Sequence, residues 1–220
     1  MMHKEYTAYV SRFAFWAPGL EETKDTIECP LDLGESKWLA LNPKEFMLFK
    51  RRLSRLSKMT IHVLHEILPL NDNTKIVFIS FRGEITQQFK INKSLIEEND
   101  LSPAAFSQSV FNTAPAAATI VFNLRQGYTA LYPAKNSFRS GFITAAAPLF
   151  IPGSGDIALI YADELCPSEY GDLCPQPNIP LAFAAILSAK EGGIPVSLNN
   201  ACLNSPEDFL KFLLDNRKLL

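Results

Sequence analysis

The sequence predicts an α/β fold built on a layered sheet. Short runs rich in β-branched and aromatic residues alternate with segments of helical periodicity along the whole chain. Residues 128–163 concentrate that alternation: an extended run (Tyr128–Tyr132), a turn, a small-residue helix (Ser137–Phe150), a Gly-rich turn (Gly153, Gly155) and a buried strand (Asp156–Tyr161). With 220 residues, of which 47% are apolar, the chain has enough material for a substantial core, and we read residues 1–220 as one domain.

Each element has its own signal. Residues 5–16 (EYTAYVSRFAFW) are β-branched and aromatic and stop at Ala17-Pro18-Gly19, so they form a strand. Residues 23–42 have no clean period and read as a surface excursion. Pro43 suits a first helical turn, and residues 44–68 then place Leu53, Leu56, Val63, Leu64, Ile67 and Leu68 at helical spacing until Pro69 and Asn71-Asp72-Asn73 end the helix. Lys75–Phe81 (KIVFISF) is a buried strand. Asn92–Asn99 is a short helical or loop segment. Ser102 is an N-cap candidate for a helix running toward Phe122, which Pro115 should kink or interrupt. After the 128–163 unit, the proline-rich Cys166–Pro180 reads as loop and Leu181–Ala189 as a strand. Gly192-Gly193 marks a turn. Ser205-Pro206-Glu207 opens a last amphipathic helix with Phe209, Phe212 and Leu213 on one face.

The formal charge of −2 gives no reason to expect nucleic acid or an anionic membrane as partner. The N-terminus MMHKEYTAYVSRF lacks the apolar stretch of a secretory signal, and no apolar run approaches the ~18 residues of a spanning helix. Cys29, Cys166, Cys174 and Cys202 show no CxxC pair and no zinc-ligand spacing; the expectation is reduced, mostly buried thiols in a cytoplasmic protein. There is no P-loop and no GxGxxG, so no cofactor is expected.

Three local patterns bear on chemistry. His62, His65 and Glu66 share a helix face, but zinc takes three or four protein ligands and no companion is evident, so a partly exposed helix face is favoured and no metal site is assigned. Ile151-Pro152-Gly153-Ser154-Gly155 superficially matches a nucleophile elbow; that motif needs a strand before it and a helix after it, and here the order is reversed. The basic run Lys44, Lys50, Arg51, Arg52, Arg55, Lys58 reads either as a solvated helix face or as a dock for an acidic protein, and no aromatic residues interleave it as a nucleic-acid platform would require.

Four segments, in order, carry a family resemblance: KRRLSRLSKM (50–59), IVFISFRGE (76–84), LSPAAFSQSVFNTAPAAATIVFNLRQG (101–127) and the 128–163 unit. They resemble the Arg-rich helix opening, the second strand and its turn, the dimer-interface segment and the nucleophile unit of the ketosynthases, which are thiolase-like enzymes. Among these the chain resembles the short ketoacyl-synthase-like N-terminal family found in aryl polyene gene clusters, where such a protein pairs with a full ketosynthase as a chain-length factor. The resemblance implies half of a thiolase-like α/β/α layered fold with a mixed sheet.

It also implies a departure from the family's chemistry. A ketosynthase carries its acyl-accepting cysteine at the turn that here reads Ala134-Lys135-Asn136-Ser137, so that place falls on Lys135 or Asn136. The two histidines that ketosynthases keep in a C-terminal half have no counterpart, since the only histidines are His3, His62 and His65. The expectation is therefore an inactive homologue. It would pair with a catalytic ketosynthase, serve an acyl carrier protein docked through Lys50, Arg51, Arg52, Arg55 and Lys58, and have no nucleic-acid partner. Phe106, Val110, Phe111, Asn112, Thr113, Pro115, Tyr128, Ala130 and Tyr132 would line the tunnel and the subunit interface, although core packing accounts for some of residues 106–122. Strand 128–134 would pair with its equivalent in the partner, and the apolar interface would make the chain poorly soluble alone. Two alternatives stay open: a stand-alone acyl-transfer or hydrolase enzyme using Ser137, Lys135 or Cys166, and a homodimeric acyl- or carrier-protein-binding module.

Overall fold

The computed structural model describes residues 6–18, 31, 33, 36–134, 137–174 and 178–220. The elements follow in chain order as β1 (Thr7–Trp16), α1 (Pro43–Lys50), α2 (Arg55–Glu66), β2 (Lys75–Ile79), α3 (Ile85–Glu98), α4 (Pro103–Ser107), α5 (Thr113–Val121), β3 (Tyr128–Leu131), α6 (Phe138–Ala146), β4 (Ile157–Asp163), β5 (Leu181–Ser188), β6 (Ile194–Ser197) and α7 (Pro206–Asp215). One sheet of six strands has the order β3-β2-β4-β5-β1-β6. β2 runs parallel to both β3 and β4, while β4–β5, β5–β1 and β1–β6 are antiparallel, so the sheet is mixed.

Alternation along the strands separates two cores. Val77 and Ile79, Leu159 and Tyr161, and Phe183, Ala185 and Leu187 point to one face, where Phe138 and Phe142 of α6 and Phe209, Leu210 and Leu213 of α7 cover them. Ile76 and Phe78, Ala158 and Ile160, and Ala182, Ala184 and Ile186 point to the other, beneath Leu56, Met59, Val63 and Leu64 of α2 and Ala114, Ala117 and Ala118 of α5. β4 and β5 are buried on both faces, which is why their sequences are continuously apolar. The result is the predicted sheet sandwiched between helices.

Several expectations need correction. The helix expected over 44–68 is two helices broken at 51–54: Ser54 adopts an extended conformation (ψ 167°) and its hydroxyl accepts the Ser57 N–H, capping α2. α1 carries its own capping box between Asn42 and Glu45. The segment read as Asn92–Asn99 belongs to the longer α3, which buries none of its residues and so leaves a weak apolar signal. The helix starting after Ser102 breaks at 108–112, not at Pro115; Pro115 sits in the first turn of α5, where a missing N–H costs nothing. α6 continues as a 3₁₀ turn (Ala147–Phe150). The Gly192-Gly193 turn leads into β6, a strand the sequence reading passed over. Gly193 has φ +79° and lies so close to β1 that a Cβ would meet the Val10 carbonyl. Two of the cysteines expected as thiols, Cys166 and Cys174, form a disulfide across eight residues, stapling part of the proline-rich loop. Cys29 and most of 23–42 lie outside the described residues.

Candidate functional site at the carboxyl ends of the parallel strands

In open α/β sheets, ligand sites gather beyond the carboxyl ends of parallel strands. Here β2 and β3 end level at Ile79 and Leu131, and β4 runs two residues further, past Tyr161 to Asp163. The turn leaving β2, Ser80-Phe81-Arg82-Gly83-Glu84, is tied to the end of β4 by Asp163. Its carboxylate accepts the Ser80 hydroxyl at 2.6 Å, the Phe81 and Arg82 N–H groups at 3.0 Å each, and the Tyr161 hydroxyl at 2.6 Å. Burial pushes the Asp163 carboxyl upward, and these donors oppose that shift. The Arg82 guanidinium donates to the Glu164 carbonyl at 2.8 Å and to Asn178 Oδ1 at 3.1 Å, anchoring the stapled loop.

Glu84, at the end of the turn, is wholly buried. Its Oε1 accepts the Ser54 hydroxyl at 2.8 Å and the Ser57 hydroxyl at 3.2 Å, while Oε2 has no partner among the described residues. Burial pushes its carboxyl up to about 8; the Ser54 and Ser57 hydroxyls pull it down and nearby Glu164 pushes it further up. Glu164 is itself buried and shifted upward by burial, against a Thr86 N–H donated at 3.3 Å.

Ser54 and Ser57 form part of the lining of a groove of about 440 Å³ between α1–α2 and α4–α5. Its walls are Phe49, Leu53, Val110, Ala116, Ala117 and Ile120, with Arg52 and Gln108 also in the lining. Of the residues expected at a tunnel or interface, Val110, Asn112 and Thr113 border this groove. Phe111 lies beside it, ring to ring with Phe78 and with Tyr132 (centroids 6.1 Å in both cases). Its seat depends on Gly83 (φ +55°), where a Cβ would stand 2.7 Å from the Phe111 ring. Asn112 donates to the Tyr128 hydroxyl at 3.0 Å, so Phe111, Asn112, Tyr128 and Tyr132 form one cluster on the β3 edge, with Ala130 on the same strand half-buried. Phe106 is exposed outside the groove, and Pro115 is buried in α5 without bordering it.

The remaining candidates are placed as follows. Lys135 and Asn136 lie outside the described residues. Ser137 caps α6, its hydroxyl accepting the Ser140 N–H at 3.3 Å. Cys166 is committed to its disulfide, which corrects its reading as a candidate thiolate, and the Cys202 thiol is pushed up to about 11 by burial. Lys50, Arg51, Arg52, Arg55 and Lys58 run from the end of α1 through the first turn of α2, and only Arg52 reaches the groove. The His65 ring is held between the Glu66 carboxylate at 2.9 Å and the Ser36 hydroxyl at 2.8 Å and stacks on Phe122, and burial lowers the pKa of His62. No group of His, Cys, Asp or Glu among the described residues is arranged to hold a metal ion. No helix among them is long and apolar enough to cross a membrane. The sequence reading missed the Ser54–Ser57–Glu84 cluster and Asp163. The signal available was a glutamate ending IVFISFRGE and acidic residues ending the otherwise apolar strand before Leu165.

The fold is shared with solved assemblies. A ketosynthase (ApeO) in complex with its chain length factor (ApeC) from Xenorhabdus doucetiae superposes with a TM-score of 0.63 at 24% identity, covering 84% of this chain and 80% of that one. The ishigamide ketosynthase/chain length factor gives a TM-score of 0.58 at 11% identity, covering 83% of this chain and 62% of that one. The same figures hold for AntDE:AntF, a type II polyketide synthase acyl-carrier protein in complex with its ketosynthase bound to the hexaketide. The chain thus spans under two thirds of the latter two. No curated protein matches by sequence. The family model for the beta-ketoacyl synthase N-terminal domain matches residues 35–209. From this match and the thiolase-like architecture, the chain is a member of the beta-ketoacyl synthase N-terminal domain family.

Proposed function

We propose that this chain is a non-catalytic, chain-length-factor-like subunit that pairs with a catalytic ketosynthase in cytoplasmic polyene or polyketide synthesis. The observation that carries the proposal is the position of β3. It is the outermost strand of the sheet, it has no ladder partner on its outer side among the described residues, and an apolar and hydroxyl-bearing cluster (Phe111, Tyr128, Tyr132) lies along it. An open edge of that kind is a template for strand addition. Pairing there with a ketosynthase would continue one sheet across the dimer and set the groove beside the partner's acyl path.

The sequence supports a non-catalytic role. The turn that carries the nucleophile in ketosynthases reads Ala134-Lys135-Asn136-Ser137 here and holds no cysteine. Condensation of malonyl units would belong to the partner. This chain would set product length through Phe106, Val110, Phe111 and their neighbours, since a bulky side chain at the end of a tunnel discriminates by about 1–3 kcal/mol per misplaced methylene. Lys50, Arg51, Arg52, Arg55 and Lys58 would receive the carrier protein's acidic surface. Residues 1–220 would act as one domain without a cofactor.

The test is a reconstituted condensation with malonyl-loaded acyl carrier protein and a ketosynthase encoded nearby. Polyketide formation should require both proteins. Condensation by this chain alone, or undiminished product of unchanged length when it is omitted, contradicts the proposal.

A further inference from the structure

The disulfide sits outside both cores. Cys166 and Cys174 are buried, yet neither belongs to the apolar clusters that pack on the two faces of the sheet. The bond closes a short 3₁₀ turn (Ser168–Leu173) in which Ser168, Glu169, Gly171, Asp172 and Leu173 are exposed. Inside it the backbone bonds are local: the Tyr170 N–H donates to the Pro167 carbonyl and the Cys174 N–H to the Gly171 carbonyl, each at 3.1 Å. Two ties reach out of the turn, the disulfide itself and the Tyr170 ring against Phe89 of α3 (centroids 5.5 Å).

The other end of the staple is joined to the candidate site. The Cys166 N–H donates to Asn178 Oδ1, and the Cys166 carbonyl accepts the Asn178 amide, both at 2.9 Å. The same Oδ1 accepts the Arg82 guanidinium at 3.1 Å. Beside Arg82, Gly83 stands against the Phe111 ring, and Phe111 packs on Tyr132 at the β3 edge. Hydrogen bonds and packed rings therefore run without a gap from the staple to that edge.

We propose that the Cys166–Cys174 disulfide is a reversible redox switch. Oxidised, it holds the Asn178–Arg82 clasp and the turn 80–84 in place; reduced, it lets both loosen, and with them the seat of Phe111 at the β3 edge. This inference rests on the cytoplasmic setting and the β3 pairing edge of the proposed function, and adds their regulation. Where disulfides occur in a thiol-buffered compartment they are usually transient and redox-sensing. One that closes an exposed turn outside the core can open without unfolding the chain. The reductant is a dithiol. One of its thiolates attacks a sulfur of the bond and releases the other cysteine as a thiolate, which takes up a proton. Its second thiol then attacks the mixed disulfide, so the reductant leaves as a disulfide and the chain gains two electrons and two protons. Oxidised glutathione reverses the exchange and leaves as two thiols.

The test is hydrogen–deuterium exchange of the full chain after treatment with oxidised glutathione and after treatment with dithiothreitol, the state of the bond being read from the masses of alkylated peptides. In the reduced chain, amides of residues 80–84 and 168–174 should exchange at least about fivefold faster than in the oxidised chain, while those of β5 keep their rate. Oxidised glutathione should restore the slow pattern, and Cys174→Ser should show the fast one under both treatments. Equal exchange at 80–84 in the two states overturns the switch, because the bond is then not coupled to the site. Loss of protection in β5 on reduction, or a bond that resists dithiothreitol in the native chain, also overturns it, because the bond is then structural. Affinity for a ketosynthase, measured by native mass spectrometry in both states, should fall at least about tenfold on reduction. Equal affinity overturns the regulation of pairing. Pairing in neither state contradicts the proposed function, while the exchange rates still decide the switch.

Discussion

On the face of the sheet covered by α6 and α7, Phe138 stands within 5.5–5.9 Å, centroid to centroid, of Tyr161, Phe183 and Phe209, and Phe142 is 5.3 Å from Phe209. On the face covered by α2 and α5, helix packing relies on Leu56, Met59, Ala114, Ala117 and Ala118, and the layer opens into a groove lined in part by Ser54 and Ser57, whose hydroxyls donate to the buried Glu84 carboxyl. The aromatic face is filled by large interlocking rings, an arrangement that favours rigidity and leaves little room for a ligand. The alanine-rich face packs backbones closely and leaves side-chain space unfilled beside them. One sheet thus separates a layer that secures the fold from a layer able to bind, and the turn 80–84 connects them: Asp163 and Tyr161 hold it from the aromatic side while Glu84 projects among the serines of α2.

The sharpest way to break this comparison is Phe138→Ala. Removing a fully buried ring from the aromatic layer should cost about 3–5 kcal/mol in chemical denaturation. A loss under about 1 kcal/mol would mean that this layer is not the stability core. Glu84→Gln tests the other layer through pH. The folded carboxyl, at about 8, lies above its unfolded value near 4.3, so the folded state binds more protons between those limits. Its contribution is fully present below pH ~4.3 and is lost as pH rises through about 8. Wild type should therefore lose stability relative to Glu84→Gln between those pH values, by at most about 1.4 kcal/mol per pH unit. Parallel pH profiles would place the charge of Glu84 in contact with solvent.

Tyr132→Asp probes the β3 edge. Tyr132 is 63% exposed, so folding stability should move by no more than about 0.5 kcal/mol while affinity for a ketosynthase falls at least tenfold, about 1.4 kcal/mol. Unchanged affinity would put the interface elsewhere. The smallest effect on stability belongs to Phe106→Ala, within about 0.5 kcal/mol because the ring is 54% exposed. Its readout is the product distribution of the reconstituted pair, which should shift to longer chains. An unchanged distribution removes Phe106 from the tunnel.

Much of this architecture is legible in the sequence because burial on both sides leaves continuous apolar strands, as in β2, β4 and β5. The failures have specific causes. The leucine spacing of Leu53 and Leu56 continues across the break at 51–54, so the Ser54 cap is masked by an unbroken period. α3 buries nothing and therefore lacks a strong apolar stripe. β6 is four residues long and contains Pro195, a residue tolerated only because this strand lies at the sheet's other edge. The site itself was the least legible. Ser54 and Ser57 lie 30 and 27 positions from Glu84, and only the packing of α2 against the β2 turn reveals that they share one carboxyl.

The two sheet edges offer the most direct measurement. We would follow hydrogen–deuterium exchange of this chain, alone and co-purified with a neighbouring ketosynthase, after native mass spectrometry has fixed the stoichiometry. The account predicts a one-to-one complex in which amides of residues 128–132 gain protection while those of β6 exchange at an unchanged rate. Protection at β6 with none at 128–132, a stable homodimer that ignores the ketosynthase, or no complex at all would contradict it.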